Sequence, residues 1–427
     1  MKIITLKREE FDEFARNHRY NSFYQSSDYA DFSKANGQYN FHYLGFVDEN
    51  NRLIGASLML YKELFWGYKF AYAPRGILID YENAKLINAV VANLKKLLKK
   101  QKFIFITIDP PIVASEKDQT GNTLKFNSQV NKILGSFKKN DFRHLGFTLY
   151  NESILPRWTV IASLNPDPRA IYNSLSNEIK EKLNYCNSVS LYVRKNNILD
   201  TNDFFNLVKP YYSKRALKYY QDFFNFFNED GRIKVFYAVI DTKKYTSNAN
   251  NLYSKEEEKN NTLAEIIQSG DKVKFNISKA INDKIASDKL LHIYKNDVVS
   301  SAQLLKQYPD GLVCGAAIVI EETNGASIIL NYSPKEYERY NTSALLTYEI
   351  MKYYGAKNKS YLNLGAITGN FDPSSKYYSM LSDKLGYNSV ILEYIGQFDI
   401  VLNPILYKIY KRKNIDIKKV WVNSQAF

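Results

Sequence analysis

Apolar residues recur along this chain in two rhythms. From Lys85 to Lys102, "KLINAVVANLKKLLKKQK" sets Leu86, Ile87, Val90, Val91, Leu94, Leu97 and Leu98 at helical spacing with lysines opposite, which predicts an amphipathic helix packed on a sheet. The stretch before it, "FAYAPRGILID", reads as extended and interrupted by Pro74 and Gly76; the stretch after it, "FIFITIDPP", is a strand ending at Asp109. A second strand–helix–strand unit follows much later in "ASIILNYSP", "TSALLTYEIMKYYGAK" and "SYLNLGA". Two such units predict two related α/β domains. Between them, "RWTVIASLNPDPRAIYNSLSNEIKEKLNYCNSVSLYVRK" reads as strand, loop, helix and strand, opening the second domain near residue 151. The segment from Thr242 to Gln307 is highly charged and broken by the turn-like "SGDK". Its Ile277, Ile281 and Ile285 recur every fourth residue, with Leu263, Ile266 and Ile267 to face them. This predicts an antiparallel helical hairpin inserted in the second domain, each arm about 45 Å long at the helical rise. A disordered linker is the competing reading, because Asn and Ser are frequent here.

The expected division is therefore residues 1–150, then 151–241 with 309–395, an inserted arm over 242–308, and a C-terminal segment from 396 to 427. A chain of 427 residues, 45% hydrophobic, can bury more than one core. The formal charge of +14 calls for an anionic partner, whether a phosphate-rich ligand, RNA or an acidic membrane face. Cys186 and Cys314 are the two cysteines, with no CxxC pair and four scattered histidines, so neither a disulfide framework nor a zinc site is supported. The N-terminus becomes charged after five residues, and no stretch has the apolar length of a membrane span. A cytoplasmic protein is expected, one whose contact with a membrane, if it makes any, is at the surface.

Asp109 is the first candidate for chemistry. Pro110 pushes it out of the helical region, and the pair of prolines stops the strand, so a carboxylate is delivered extended at a strand tip. Catalytic groups and turn-forming aspartates both favour such tips.

Five stretches, in order and spanning nearly the whole chain, resemble the Fem family of aminoacyl-tRNA-dependent peptidyltransferases. They are "FYQSSDYADFSKANG", "YAPRGILIDYEN", "IFITIDPP", "LPRWTVIASL" and "LGAITGNFDPSS…KLGYNSVILEYIGQFDIVLNPILYKIY". The resemblance implies an α/β (α+β) fold of two GNAT-like domains, with the inserted hairpin as a coiled-coil arm. It implies an aminoacyl-tRNA co-substrate with no further cofactor. The acceptor it implies is an amine on the stem peptide of a lipid-linked or UDP-linked peptidoglycan precursor, lipid II or UDP-MurNAc-pentapeptide in type. Peripheral contact with the inner membrane face belongs to the same expectation, and the arm is expected to serve tRNA engagement, self-association or partner binding. A noncatalytic RNA- or membrane-surface-binding protein of this fold is the alternative. No Q/R-x-x-G-x-G/A loop follows a strand, which argues against ordinary acetyl-CoA binding.

By the same resemblance, Asp109 matches a strand-tip aspartate regarded as a candidate to take the acceptor amine's proton, although an ordinary Asp pKa of about 3.9 suits it better to orienting and attracting that amine, and Lys384 in "LSDKLGYNSVILEYIG" matches a lysine at the reaction centre. Lys34 and Arg215 match a basic pair that grips the precursor's diphosphate, while Ser213, Tyr219 and Tyr332 match substrate contacts. The chain departs from the family pattern in Asp383, where a Phe is usual, and in Leu330, Ser333 and Pro334 around Tyr332. An Asp383–Lys384 pair would neutralise the lysine; divergent side chains would leave it available.

Overall fold

Phe103–Ile108 is buried on both faces, as only an inner strand covered from both sides can be. The computed structural model describes residues 1–37, 39–64, 66–150, 152–196, 202–210, 214–228, 231–270 and 276–412. Around that run the first half assembles β1 (Lys2–Thr5), α1 (Arg8–Asn17), α2 (Ser27–Gly37), β2 (Asn40–Val47), β3 (Leu53–Glu63), β4 (Lys69–Ala73), α3 (Ala84–Lys100), β5 (Phe103–Ile108), β6 (Val113–Lys117), β7 (Thr123–Phe126), α4 (Val130–Lys139) and β8 (Phe142–His144). There follow β9 (Trp158–Ser163), α5 (Pro168–Ser174), α6 (Asn177–Ser188), β10 (Leu191–Asn196), α7 (Asn202–Val208), α8 (Lys214–Phe227) and β11 (Ile233–Ile240). The long helices α9 (Thr242–Ser269) and α10 (Ile277–Gln307) lead into β12 (Leu312–Glu321), β13 (Gly325–Tyr332), α11 (Thr342–Gly355), β14 (Tyr361–Ile367), α12 (Tyr378–Ser382), β15 (Ser389–Tyr394), β16 (Phe398–Val401) and α13 (Pro404–Arg412).

The fold is mixed α/β with two sheets, ordered β1-β2-β3-β4-β5-β16-β8 and β10-β11-β12-β13-β14-β9-β15-β6-β7. Pairing is antiparallel except where the two strand–helix–strand units close: β4 with β5 across α3, and β13 with β14 across α11. The apolar stripe of α3 buries Ile87, Val90, Val91, Leu94 and Leu98 on one face of the first sheet, with Val130, Ile133 and Phe137 of α4 beside it. The opposite face meets α1, α2 and α13, and there Phe105 packs on Tyr407 and Tyr410.

The sheets do not divide at residue 150. Strands β6 and β7 join the second sheet through β15, whereas β16 crosses back to pair between β5 and β8. One apolar cluster runs through both halves, from Leu58, Leu60 and Tyr72 to Tyr237, Ala316 and Ile318, with the aromatic face of α8 between them. Polar contacts reinforce the join: the buried Asp28 carboxylate of α2 accepts from Arg8 and from Arg232 at the start of β11.

The hairpin is formed by α9 and α10, but its seam is not the isoleucine stripe. Ile281 and Ile285 are 43% and 52% exposed, while Ala280, Ser287 and Ser301 are buried. Together with the half-buried Tyr294, these positions recur every seven residues, the spacing that keeps one helix edge on its partner when two helices wind gently around each other. Small side chains bring the helices close, and polar bonds fill the seam: Asn260 donates to Ser287 at 3.0 Å and Asp288 at 2.8 Å, and Tyr245 to Asp297 at 2.9 Å.

The returning strand β16 carries Asp399, fully buried, which accepts from Thr107 at 2.6 Å and Tyr407 at 2.7 Å, with Lys411 3.4 Å away. Burial raises its pKa, and the Lys411 charge and both hydroxyl bonds oppose that rise. Asp399→Ala orphans two donors at about 1–3 kcal/mol each, so urea unfolding should show a loss of roughly 2–4 kcal/mol. Asp399→Asn, which keeps an acceptor, should lose less. A change in Asp399→Ala within about 0.5 kcal/mol of zero, the range of an ordinary surface substitution, would contradict this role.

Candidate active site

Asp109 follows directly on β5, where Pro110 and Pro111 end the strand, and it is 3% exposed. Tyr72 on the neighbouring β4 donates its hydroxyl to one carboxylate oxygen at 2.7 Å, and the Arg75 backbone N–H donates to the other at 2.7 Å. Burial pushes the Asp109 pKa up to about 6, against the pull of the Arg75 charge and the Tyr72 hydroxyl. A carboxylate in this state is a far better proton acceptor near neutral pH than one in water.

Tyr72 also lines a small recess of about 20 Å³ with Tyr29, Ser33, Asn36, Tyr39, Leu60 and Tyr219, among others. Gly37 has to be glycine here, because a Cβ would strike the Tyr39 ring that closes one side. Tyr219 is buried and meets Phe32 edge-on at 5.1 Å. Helices α2 and α8 run antiparallel across this contact: Phe32 reaches Tyr219, Phe223 and Phe227, and Asn36 donates to Asp222 at 2.5 Å. The last turn of α2, bearing exposed Lys34, is fixed to α8 at Asp222, seven residues along the helix from Arg215. The Arg215 side chain and all of Ser213 lie outside the described residues.

Tyr332 ends β13, half-buried against the apolar cluster shared with Tyr72 and Tyr219. Lys384 stands elsewhere in the second sheet's surroundings. Its ammonium donates to the carbonyls of Ala366 at 2.8 Å and Met380 at 3.3 Å, the latter in the short helix α12. Burial lowers its pKa to about 8, opposed by the charge of Asp383, which is itself exposed. The lysine stem passes beside a bulge in β14: pairing shifts between Asn363 and Gly365, and Gly365 takes φ +95°, open to glycine and rare for other residues.

Several residues at this join were not singled out from sequence. The Arg75 guanidinium lies 4.6 Å over the Tyr394 ring and donates to the Pro156 carbonyl at 2.8 Å, so it bridges the two sheets above Asp109. Glu322, after β12, accepts from Tyr361 at 2.7 Å and Ser327 at 2.9 Å; burial raises its pKa, and those bonds and the charges of Arg232 and Arg75 oppose the rise. Arg75 and Tyr394 sit inside "YAPRGILIDYEN" and "LEYIGQ", where they could have been noticed; Glu322 carries no local signal.

The sequence along nearly the whole chain, and the fold it adopts, are what this protein has in common with a known group. It belongs to the FemAB family, whose sequence profile matches residues 6–413. It is 24% identical over 421 residues to a lipid II:glycine glycyltransferase of Staphylococcus epidermidis, covering 96% of this chain and 95% of that one. It is 25% identical over 429 residues to a lipid II:glycine glycyltransferase of Staphylococcus aureus, covering 96% of each. The crystal structure of FemX has the same fold, with a TM-score of 0.73 and 21% identity over 96% of this chain and 99% of FemX.

Below pH about 6 Asp109 takes up a proton and stops attracting cations, and above about 8 Lys384 loses its charge. An aminoacyl-transfer reaction that uses both charged forms should give a kcat/KM profile with limbs near those two values. Lys384→Met should remove the alkaline limb and lower kcat by roughly 10²–10³, the effect of losing one preorganised electrostatic stabiliser. An unchanged profile and kcat in that variant would exclude Lys384 from the reaction.

Proposed function

We propose that this protein transfers an aminoacyl group, glycine foremost, from aminoacyl-tRNA to an amine on the stem peptide of a lipid II-type peptidoglycan precursor. The observation that carries the reading is the Asp109 carboxylate, buried where the sheets meet and joined through Tyr72 to an aromatic recess. The relatives matched along 96% of the chain are lipid II:glycine glycyltransferases, which supports the acceptor and the glycyl group. A UDP-linked precursor offers the same diphosphate and peptide, so it is the second acceptor to test. The charge of +14 suits tRNA, a diphosphate and the anionic inner membrane face alike.

The chemistry needs no nucleophilic side chain, because the tRNA ester is already activated and positioning supplies much of the acceleration. The acceptor nitrogen attacks the ester carbonyl carbon, an amide C–N bond forms, the bond to the ribose oxygen breaks, and the proton lost by nitrogen ends on that oxygen. Asp109 attracts and orients the acceptor amine and draws on its proton, while Lys384 stabilises the oxyanion or the leaving ribose oxygen. Lys34 and Arg215 hold the diphosphate, with Ser213, Tyr219 and Tyr332 lining the path of the substrate.

Radiolabelled amino acids on a panel of charged tRNAs, offered lipid-linked and UDP-linked acceptors, test the reading directly. Label should move from glycyl-tRNA to the lipid-linked acceptor. Retention of tRNA without turnover on any acceptor would support a noncatalytic binding protein. Arg215→Ala should raise the acceptor KM by about tenfold or more, as loss of a charge-assisted contact costs roughly 1.5–3 kcal/mol, with tRNA affinity nearly unchanged. Equal losses for acceptor and tRNA would point to a diffuse basic surface.

A further inference from the structure

The β3–β4 hairpin ends in a tryptophan held out in water. Trp66 is 83% exposed, and both it and Gly67 take left-handed backbone angles, φ 52° and 73°. Large side chains avoid that conformation, and an indole gains by leaving water, so the tip holds two unfavourable features at one position. The Leu64 N–H bond to the Tyr68 carbonyl, 2.8 Å, closes the strands just behind it. Trp66 therefore lies beyond the last strand pair, Glu63 with Lys69.

Lysines surround this tip. Lys69 lies 5.3 Å over the Tyr61 ring, Lys62 lies 3.8 Å over the Tyr39 ring, and the Lys102 ammonium comes within 3.9 Å of where a Cβ on Gly67 would stand. Lys99 and Lys100, exposed in the last turn of α3, are tied to the same corner by the Lys102 N–H bond to the Lys99 carbonyl at 3.2 Å. Glu63 is the acid among these five cations on the hairpin and the adjoining helix end. An amphipathic ring inside a collar of lysines matches the interface of an anionic bilayer, where indoles lodge at headgroup depth and each lysine is attracted by the surface potential.

We propose that this hairpin tip is a membrane anchor: Trp66 enters the headgroup layer of an anionic bilayer while Lys69, Lys99, Lys100 and Lys102 face its phosphates. The same hairpin sets the height of the recess. Leu60 and Tyr72 pair across β3 and β4 and both line it, and β3 runs three residues past Leu60 toward Trp66, about 10 Å at the rise of a strand. Anchoring thus holds the recess above the plane from which a lipid-linked acceptor rises; this last step rests on the acceptor proposed above, whereas the anchor does not. Single-stranded RNA also stacks on aromatic rings beside lysines, but in grooves that track its backbone, whereas Trp66 caps a hairpin turn suited to a flat partner.

Cosedimentation of the full chain with vesicles tests the anchor. Binding to phosphatidylglycerol-containing vesicles should exceed binding to pure phosphatidylcholine. Trp66→Ser should weaken it by about tenfold, and the triple variant Lys99→Gln, Lys100→Gln, Lys102→Gln by on the order of a hundredfold at roughly fivefold per lysine. Brominated lipid should quench wild-type tryptophan fluorescence and quench Trp66→Ser much less. Undiminished vesicle binding in both variants would overturn the proposal, as would loss of tRNA retention with vesicle binding intact. Trp66→Ser should also slow transfer to a vesicle-embedded acceptor while sparing a water-soluble analogue. Absence of transfer to either acceptor by the wild type would refute the transferase reading and leave the vesicle result to decide the anchor.

Discussion

A carboxylate removed from water has to be given partners, and for Asp109 they come from three separate pieces of chain. The proline pair stops β5 so that the carboxylate stays at the sheet end; Tyr72 reaches it from the parallel neighbour β4; the turn after β4 lends the Arg75 N–H. The Arg75 side chain then leaves the first half altogether and lies over Tyr394 in the second. The balance between desolvation and these contacts holds the pKa at about 6, between a surface aspartate and a fully neutral acid. Shifting the two sheets relative to each other would remove Arg75 from Tyr394 and from the Pro156 carbonyl, and with them the field that keeps Asp109 titratable in this range.

The architecture resists such shifts. Strand β16 belongs to the first sheet although the chain reaches it from β15 in the second, and β6 and β7 make the opposite exchange. Pulling the halves apart would mean breaking ladders as well as a continuous apolar core that includes Tyr72, Tyr219 and Ile318. Asp399 secures the returning strand from inside, and Asp28, shared by Arg8 and Arg232, secures the outer edge. The recess, the raised carboxyl and the exposed Trp66 all belong to or abut the β3–β4 hairpin, so one rigid element relates the surface the protein presents to the chemistry it encloses.

Periodicity exposed what is local. The stripe of α3, the apolar run before Asp109 and the second strand–helix–strand unit are each written in a few consecutive residues, and each forms the element it predicts. The hairpin of α9 and α10 was legible as two helices, but a repeated isoleucine is a poor guide to a seam built from alanine and serine, where close approach and hydroxyl bonding replace bulk. Exchange of β6, β7 and β16 between sheets left no trace in the sequence, because a strand's pattern records that it is covered and not which sheet covers it. Glu322 illustrates the same limit for the site: a carboxylate among "VIEETNG" looks like a turn residue until Tyr361 and Ser327 close on it.

The role proposed for Asp109, meeting the acceptor amine, can be tested on its carboxyl directly. Carbon-13 NMR of aspartate-labelled protein, with the Asp109 signal assigned by its loss in Asp109→Asn, gives the titration midpoint with and without a stem-peptide acceptor. The midpoint should lie near 6 in the free protein, as burial sets it, and fall when an ammonium-bearing peptide binds. A midpoint near the ordinary aspartate value of about 3.9, or one that the peptide leaves unmoved, would contradict that role.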